Sequence, residues 1–179
     1  MISIIMKKVV KFGGSSLANA EQFQKVGDII RSDESRRYVV PSAPGKRFSA
    51  DTKVTDLLYT CYGKAEAGED FTDVLTEIKG RFYEIIKGLN LDLSLEEEFR
   101  QIEADFKAHA GNEYAASRGE FLNGKVMAAY LGYEFIDSAT VIRFDKNGNF
   151  DADKTDKLLS KRLQKCERAV VPGFYGGME

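Results

Sequence analysis

The segment Lys8-Val9-Val10-Lys11-Phe12-Gly13-Gly14-Ser15-Ser16 sets the architecture of the first part of the chain. Residues 8–12 include β-branched and aromatic side chains, which are typical of a strand. Gly13 and Gly14 end this run, because paired glycines favour a tight loop. We therefore predict a buried strand that leads directly into a glycine-rich loop.

A helix and a second strand are predicted next. Asn19 is a residue type that caps helices, and the helix is expected to continue to about Arg31. Four apolar residues recur along it at helical spacing: Phe23, Val26, Ile29 and Ile30. Tyr38-Val39-Val40 predicts a buried strand that ends at Pro41, ahead of a loop at residues 42–45. Strand, helix and strand in this order indicate a βαβ unit.

Helical patterns dominate the middle of the chain, over residues 53–132. They are expected to break at Gly63, Gly68, Gly88-Leu89-Asn90 and Gly111-Asn112. Residues 74–87 and 95–109 carry apolar side chains at helical spacing and predict an antiparallel pair of helices. A third helix is predicted from about Tyr114 to Leu131.

Strands return near the end of the chain. Residues 133–137 and 169–171 are predicted to be strands. Residues 141–144 are expected to form a hairpin with the residues after Asn147-Gly148, because Asn-Gly favours a type I′ turn. Asp153 is expected to open a last helix.

The alternation of buried strands with helices predicts an α/β sandwich with a mainly parallel sheet. Ligands bind such sheets at the carboxyl ends of the strands. We therefore expect the functional site at the loops 11–16, 42–47 and 172–177, which are rich in glycine and small polar residues.

The composition excludes several classes of protein. Of 179 residues, 43% are hydrophobic and 30% charged, as in a soluble globular domain. A net charge of -2 gives no electrostatic basis for binding nucleic acid or an anionic membrane. The two cysteines, Cys61 and Cys166, lie far apart, so we expect a reduced, cytoplasmic protein. Residues 1–5 are predicted to be an extension, and the basic pair Lys46-Arg47 a solvated surface.

The loop at residues 11–16 is the first candidate for chemistry. Its glycines let the backbone approach a ligand closely, and its amides and hydroxyls can bind phosphate oxygens. Lys11 could balance charge on a transferred phosphoryl group. The loop is neither a Walker A motif nor the Rossmann fingerprint, and a glycine turn beside an exposed lysine has the same spacing.

Motifs along the chain resemble those of aspartate kinases in the amino-acid kinase superfamily. The order of these motifs is also that of the family. They are Lys11-Phe12-Gly13-Gly14-Ser15-Ser16, Val39-Val40-Pro41-Ser42-Ala43, Lys53-Val54-Thr55-Asp56-Leu57-Leu58, Ser117-Arg118-Gly119-Glu120 and Val170-Val171-Pro172-Gly173-Phe174-Tyr175-Gly176. Pro41 is an extra residue relative to the family's second strand.

The resemblance implies a three-layer α/β sandwich and specific site residues. Lys11, Phe12, Gly13, Gly14, Ser15 and Ser42 would bind ATP, which enters with Mg²⁺. Lys11 would stabilise the transition state, while Thr55 and Glu120 would bind L-aspartate. The product would be 4-phospho-L-aspartate, the first step toward lysine, threonine and methionine. The parent enzyme is expected to be a cytoplasmic homo-oligomer.

Residues 1–179 would form the N-terminal portion of such a catalytic domain. Family members continue with a Gly-Arg-Gly-Gly-Ser-Asp element, an adenine-binding half and regulatory ACT domains. Because phosphoryl transfer needs several groups at once, we expect this portion alone to be inactive. A kinase for glutamate or N-acetylglutamate, and a non-catalytic ligand-binding module, remain as alternatives.

Structural explanations exist for the same residues. Ser117 and Glu120 have the spacing of a capping box, Thr55 could cap a helix, and Ser42 could be a turn residue. Acidic and amide residues also alternate from Asp145 to Asp153, as in a calcium loop. No metal site is predicted there, because Phe150 stands where that loop needs glycine.

Overall fold

The computed structural model describes residues 6–178, so the extension predicted for residues 1–5 lies outside the described part. The helices are α1 (Ala20–Arg31), α2 (Val54–Glu66), α3 (Thr72–Gly88), α4 (Glu96–Lys107), α5 (Asn112–Leu131), α6 (Ser138–Val141) and α7 (Ala152–Leu163). The strands are β1 (Lys8–Phe12), β2 (Arg36–Pro41), β3 (Glu134–Phe135), β4 (Arg143–Phe144), β5 (Ala169–Val170) and β6 (Gly177–Met178). A 3₁₀ turn at Gly14–Leu17 follows β1.

The predicted βαβ unit is formed by β1, α1 and β2. The Asn19 side chain accepts a hydrogen bond from Gln22 N at 2.9 Å, so the predicted cap is confirmed. Phe23 and Ile30 are buried, whereas Ile29 is 48% exposed. The prediction for Ile29 is wrong because neighbouring helical residues point about 100° apart, and Ile29 lies beyond the edge of the buried stripe.

The main sheet of the described residues is entirely parallel, with strand order β1-β2-β5-β3. The predicted parallel sheet is therefore confirmed. Pro41 pairs in register with Phe12, and the only irregularity between β1 and β2 lies between Lys8 and Val9. Pro41 thus occupies a regular position in β2. β1 is an edge strand of this sheet, and its Val9 is 67% exposed instead of buried.

Helices cover both faces of this sheet. Val39 and Val170 point into the larger core, which is formed with α1 to α5. Tyr38 and Ala169 point to the opposite face, where Leu159 of α7 packs against them. The fold is a three-layer α/β sandwich, as predicted.

The helices of the middle segment differ in part from the prediction. Gly63 lies inside α2 instead of breaking it, because the neighbouring Cys61 and Tyr62 are buried and hold the helix in place. The antiparallel arrangement of α3 and α4 is confirmed by two ring contacts. Phe71, ahead of α3, meets Phe106 at the end of α4, while Phe82 in α3 meets Phe99 near the start of α4.

The hairpin after residue 141 is smaller than predicted. Val141 ends α6, and one antiparallel bridge joins Phe144 to Phe150. Gly148 N donates to Asp145 O at 2.9 Å, and Gly148 has a φ of 80°. A type I′ turn also needs a positive φ at the preceding residue, which Asn147 lacks, so the predicted turn type is wrong.

The start of the last helix was predicted two residues too late. The Asp151 side chain accepts a hydrogen bond from Lys154 N at 2.9 Å and caps α7. Asp153 lies in the first turn of that helix, where a carboxylate stabilises the helix dipole instead of capping it.

Candidate functional site

A polar cavity of about 440 Å³ lies at the carboxyl ends of β1 and β2. Its lining comes from the turn after β1, the loop after β2, the start of α2 and the middle of α5. The lining residues are Gly14, Ser15, Ser42, Ala43, Pro44, Gly45, Lys46, Lys53, Thr55 and Glu120. This is the position that a parallel sheet offers to a ligand.

The two loops at the mouth of the cavity pack backbone against backbone. Gly45 N donates to Gly14 O at 2.8 Å, and Ser42 N donates to Phe12 O at 3.0 Å. A Cβ at Gly14 would lie 2.7 Å from Ala43 O, and one at Gly45 would lie 2.6 Å from the carbonyl carbon of Gly14. Glycine is required at both positions because the chains approach so closely.

Gly45 and Gly63 form a matched pair that tests this close approach. Gly45→Ala is expected to destabilise the protein by about 1–3 kcal/mol, since backbone atoms of the other loop must move. Gly63→Ala meets nothing within 4 Å inside α2 and is expected to stabilise by about 0.5–1 kcal/mol. Urea unfolding measures both values. Equal effects at the two positions would contradict the assignment of a special role to Gly45.

Helix α5 holds the loop after β2 from the other side. Glu120 Oε1 accepts a hydrogen bond from Ala43 N at 3.2 Å, and Asn123 Nδ2 donates to Ser42 O at 2.7 Å. Gly119 permits this contact, because a Cβ there would lie 2.7 Å from the Ala43 Cβ. The loop therefore rests on one face of α5 with its peptide groups fixed.

Glu120 has a second oxygen that no described residue uses. The residue is 7% exposed, and its buried Oε2 has no hydrogen-bond partner among residues 6–178. Burial raises the pKa of Glu120, while the Ala43 amide and the charge of Lys11 act in the opposite direction. A cationic group in the cavity would satisfy this oxygen.

The capping explanations for Ser117, Glu120 and Thr55 are wrong. Ser117 and Glu120 lie in the middle of α5, where Ser117 Oγ donates to Tyr114 O at 2.6 Å. Lys53 occupies the capping position of α2, so Thr55 lies inside the helix. Within residues 6–178, the hydroxyls of Ser15, Ser42 and Thr55 make no hydrogen bond and are free for a ligand in the cavity.

Lys11 projects from β1 near this cavity without lining it. Its side chain is exposed and has no hydrogen-bond or ion-pair partner within residues 6–178. Its charge still lowers the pKa of Glu120, so the two groups interact electrostatically. An unpaired ammonium near this cavity is suited to bind an anion.

A buried arginine fixes the far part of the loop after β2. Arg81 is 3% exposed and donates to Gly45 O at 2.7 Å and to Thr52 O at 2.8 Å. It also lies 3.2 Å from Asp51 Oδ2. Hydrogen bonds from Arg47 hold the pKa of Asp51 well below its usual range, so this carboxylate stays charged. Residues 45–52 are therefore anchored to α3.

A model of the amino acid kinase family matches residues 6–178. The chain belongs to this family.

Relatives and solved structures point to one branch of the family. Aspartokinase 3 of Bacillus subtilis is 35% identical over 184 residues, which cover 94% of this chain and 40% of the relative. The aspartate kinase structure from Clostridium acetobutylicum has 48% identity and a TM-score of 0.92, covering 95% of this chain and 39% of that one. E. coli aspartokinase III, solved with aspartate and ADP, has a TM-score of 0.77 at 24% identity. The match covers 96% of this chain and 41% of the E. coli chain. The chain thus spans about two fifths of each of these proteins.

The cavity lining contains several of the site residues that the family-like motifs predicted. Five residues that the sequence motifs selected lie together in its lining: Gly14, Ser15, Ser42, Thr55 and Glu120. Lys11, Phe12 and Gly13 do not line it. Phe12 packs against the larger core, and Gly13 directly precedes the 3₁₀ turn.

Several residues of this site were not predicted to be site residues. Lys46, within the predicted loop 42–47, and Lys53, the first residue of the third motif, line the cavity, and Lys46 is exposed as expected. Arg81 and Asn123 donate hydrogen bonds to backbone carbonyl groups of the loop after β2. No local signal in the sequence distinguishes them from other polar residues of a helix. The third predicted loop, residues 172–177, does not contribute to the lining. Among residues 6–178, no helix is long and apolar enough to cross a membrane.

Proposed function

We propose that the complete protein transfers the γ-phosphate of ATP to the β-carboxylate of L-aspartate. The product is 4-phospho-L-aspartate, the precursor of lysine, threonine and methionine. The observation that carries this proposal is Glu120, which has a buried, unpartnered oxygen and lines the same cavity as Thr55 with its free hydroxyl. A carboxylate and a hydroxyl in this arrangement suit the ammonium and the carboxylate of an amino acid.

The phosphate end of the reaction is assigned to the loop after β1. Lys11 neutralises charge on the transferred group, and the backbone from Phe12 to Gly14 with the hydroxyls of Ser15 and Ser42 binds phosphate oxygens. The relatives named as aspartokinases, and the E. coli enzyme solved with aspartate and ADP, support this choice of substrates.

Mg²⁺ enters this proposal as part of MgATP. Among residues 6–178, no group of three acidic, histidine or cysteine side chains could hold a metal by itself. This donor set fits an ion carried mainly by phosphates, as Mg²⁺ usually is, with Ser15 and Ser42 as the neutral oxygen donors nearby. When bound, the ion neutralises charge on the phosphates.

The chain is proposed to be the N-terminal portion of the catalytic domain of a cytoplasmic homo-oligomer. Its relatives are more than twice as long, which supports its assignment as a portion of a longer protein. The portion alone is expected to be inactive, because phosphoryl transfer requires groups that surround the phosphates from several sides.

The test is formation of acyl phosphate, trapped with hydroxylamine, by the full-length protein and by residues 1–179. The full-length protein is expected to use L-aspartate with MgATP, and to favour it over L-glutamate by about 10- to 200-fold in kcat/KM, the usual effect of one methylene. Residues 1–179 are expected to bind ligand without turnover. A preference for glutamate or N-acetylglutamate would overturn the assignment of the substrate.

A further inference from the structure

One buried side chain holds both ends of the segment 45–52, which lies between the cavity and the start of α2. Arg81 of α3 is 3% exposed and donates to Gly45 O at 2.7 Å and to Thr52 O at 2.8 Å. A guanidinium group is planar and presents its donors in a fixed arrangement. The two ends of the segment are therefore kept at a set distance from each other and from α3.

The charge of Arg81 is balanced inside the protein. Its Nη1 lies 3.2 Å from Asp51 Oδ2, and Asp51 is itself 8% exposed. The same carboxylate accepts a hydrogen bond from the backbone N–H of Arg47 at 2.8 Å. A buried ion pair often stabilises a protein no more than apolar side chains of the same volume do. We therefore expect this pair to act on the geometry of the segment more than on net stability.

Gly45 connects Arg81 to the loop after β1. Its carbonyl accepts from Arg81, and its N–H donates to Gly14 O at 2.8 Å. Lys46 follows directly and lines the cavity, whereas Arg81 does not. The position of Arg81 thus determines how the glycine turn and the lysine lie relative to each other without any contact between Arg81 and the cavity.

We propose that Arg81, paired with Asp51, is a positioning residue for phosphoryl transfer. It holds Gly45 against Gly14 and so fixes the loop that binds the phosphates of the nucleotide. This inference rests on the proposed function and adds to it a residue outside the cavity.

The other end of the loop after β2 is fixed independently of Arg81. Glu120 and Asn123 of α5 hold the backbone at Ala43 and Ser42. Loss of Arg81 is therefore expected to disturb the phosphate side of the cavity and to leave the side that binds the amino acid in place.

The experiment measures Arg81→Met in the full-length protein. We expect kcat for aspartyl phosphate formation to fall by about 10- to 100-fold, because a misplacement of about 1 Å can cost a hundredfold in rate. Affinity for MgADP, measured by calorimetry, is expected to fall by about tenfold, while KM for L-aspartate changes by less than about threefold.

A double variant separates positioning from stability. Arg81→Met alone leaves the charge of Asp51 buried with one partner fewer, which lowers Tm. Adding Asp51→Asn removes that charge, so Tm is expected to recover in part while kcat stays low. Arg81→Lys keeps a charge and one donor for a carbonyl group, and its kcat is expected to lie between those of Arg81→Met and the wild type.

Arg37→Met is the control. Arg37 has a side chain that is 16% exposed and an ion pair with Glu167 Oε1 at 3.1 Å. It lies near the start of β2, at the end of the strand away from the cavity. This change is expected to lower Tm without altering kcat or the affinity for MgADP.

Recovery of kcat together with Tm in the double variant would overturn the inference, because Arg81 would then act on stability alone. Equal losses on MgADP and aspartate would also overturn it. A wild-type protein that does not phosphorylate aspartate is a different result, which removes the proposed acceptor. The MgADP affinities of the same variants then decide the inference, and an affinity of Arg81→Met equal to that of the wild type would overturn it.

Discussion

Replacing Lys11 with methionine is expected to lower kcat for aspartyl phosphate formation by about 10²–10³-fold, the usual cost of losing one group that stabilises transition-state charge. The Lys11 ammonium has no partner within residues 6–178, and its charge acts on Glu120 in the lining of the cavity. Methionine keeps most of the side-chain volume, so β1 and its pairing with β2 should not change. Steady-state kinetics of the full-length protein with MgATP and L-aspartate measure the effect.

Lys8→Met is the control for this variant. Lys8 lies on the same strand, and its ammonium contacts Asp33 Oδ2 at 2.8 Å on the exposed surface. An exposed ion pair of this kind contributes about 0–1 kcal/mol, so Lys8→Met should fold and turn over almost normally. A Lys11→Met enzyme with wild-type kcat would show that the charge at the end of β1 takes no part in phosphoryl transfer.

If Glu120 pairs with the substrate ammonium as proposed, Glu120→Gln is expected to raise KM for L-aspartate by about a hundredfold or more, because the ammonium would lose a buried charged partner. Glutamine has the shape of glutamate, and its amide oxygen can still accept the hydrogen bond from Ala43 N. KM for ATP should change little. Kinetics with aspartate as the varied substrate measure the difference, and Glu113→Gln, at the exposed start of α5, is the matched control.

The protonation of Glu120 predicts how this affinity depends on pH. Burial raises the pKa of Glu120, so the neutral form persists to a higher pH than in an exposed glutamate. Only the ionised form attracts an ammonium group. KM for aspartate should therefore rise as the pH falls through this raised pKa, and the Glu120→Gln enzyme should lack that rise.

The same variant has a defined effect on stability. A carboxyl group whose pKa is raised by folding destabilises the native state at any pH above its ordinary pKa, since the buried charge is unfavourable. Glu120→Gln should therefore leave Tm at neutral pH unchanged or higher. A large fall in Tm together with a flat KM would assign Glu120 to holding the loop and not to binding the substrate.

Local sequence signals predicted the parts of the fold that short segments determine. The cap at Asn19, the strands on either side of α1 and the stripe of Phe23 and Ile30 all depend on neighbours within one or two helical turns. Errors occurred where tertiary contacts decide. Gly63 stays helical because the buried side chains of α2 hold the helix in place. β1 is half exposed because it lies at the edge of the sheet, where no further strand pairs with it among residues 6–178.

The site was predicted only in part for the same physical reason. The motifs placed Ser42, Thr55 and Glu120 in one cavity, since strands in a parallel sheet bring their carboxyl ends together. The residues that shape the loop contact it across long stretches of sequence. Arg81 reaches Gly45 over 36 residues and Asn123 reaches Ser42 over 81. Neither residue type is unusual in a helix, so pattern alone does not select them.

The two oxygens of Glu120 have a consequence for redesigning this protein. One oxygen of the carboxylate holds the loop at Ala43, and the other has no partner among residues 6–178. Exchanging this residue to accept substrates without an amino group would loosen the loop at the same time. Lys53 and Thr55 can be exchanged without loosening the loop, because their side chains make no hydrogen bond to the rest of residues 6–178. Directed evolution toward such substrates should therefore begin at these two positions.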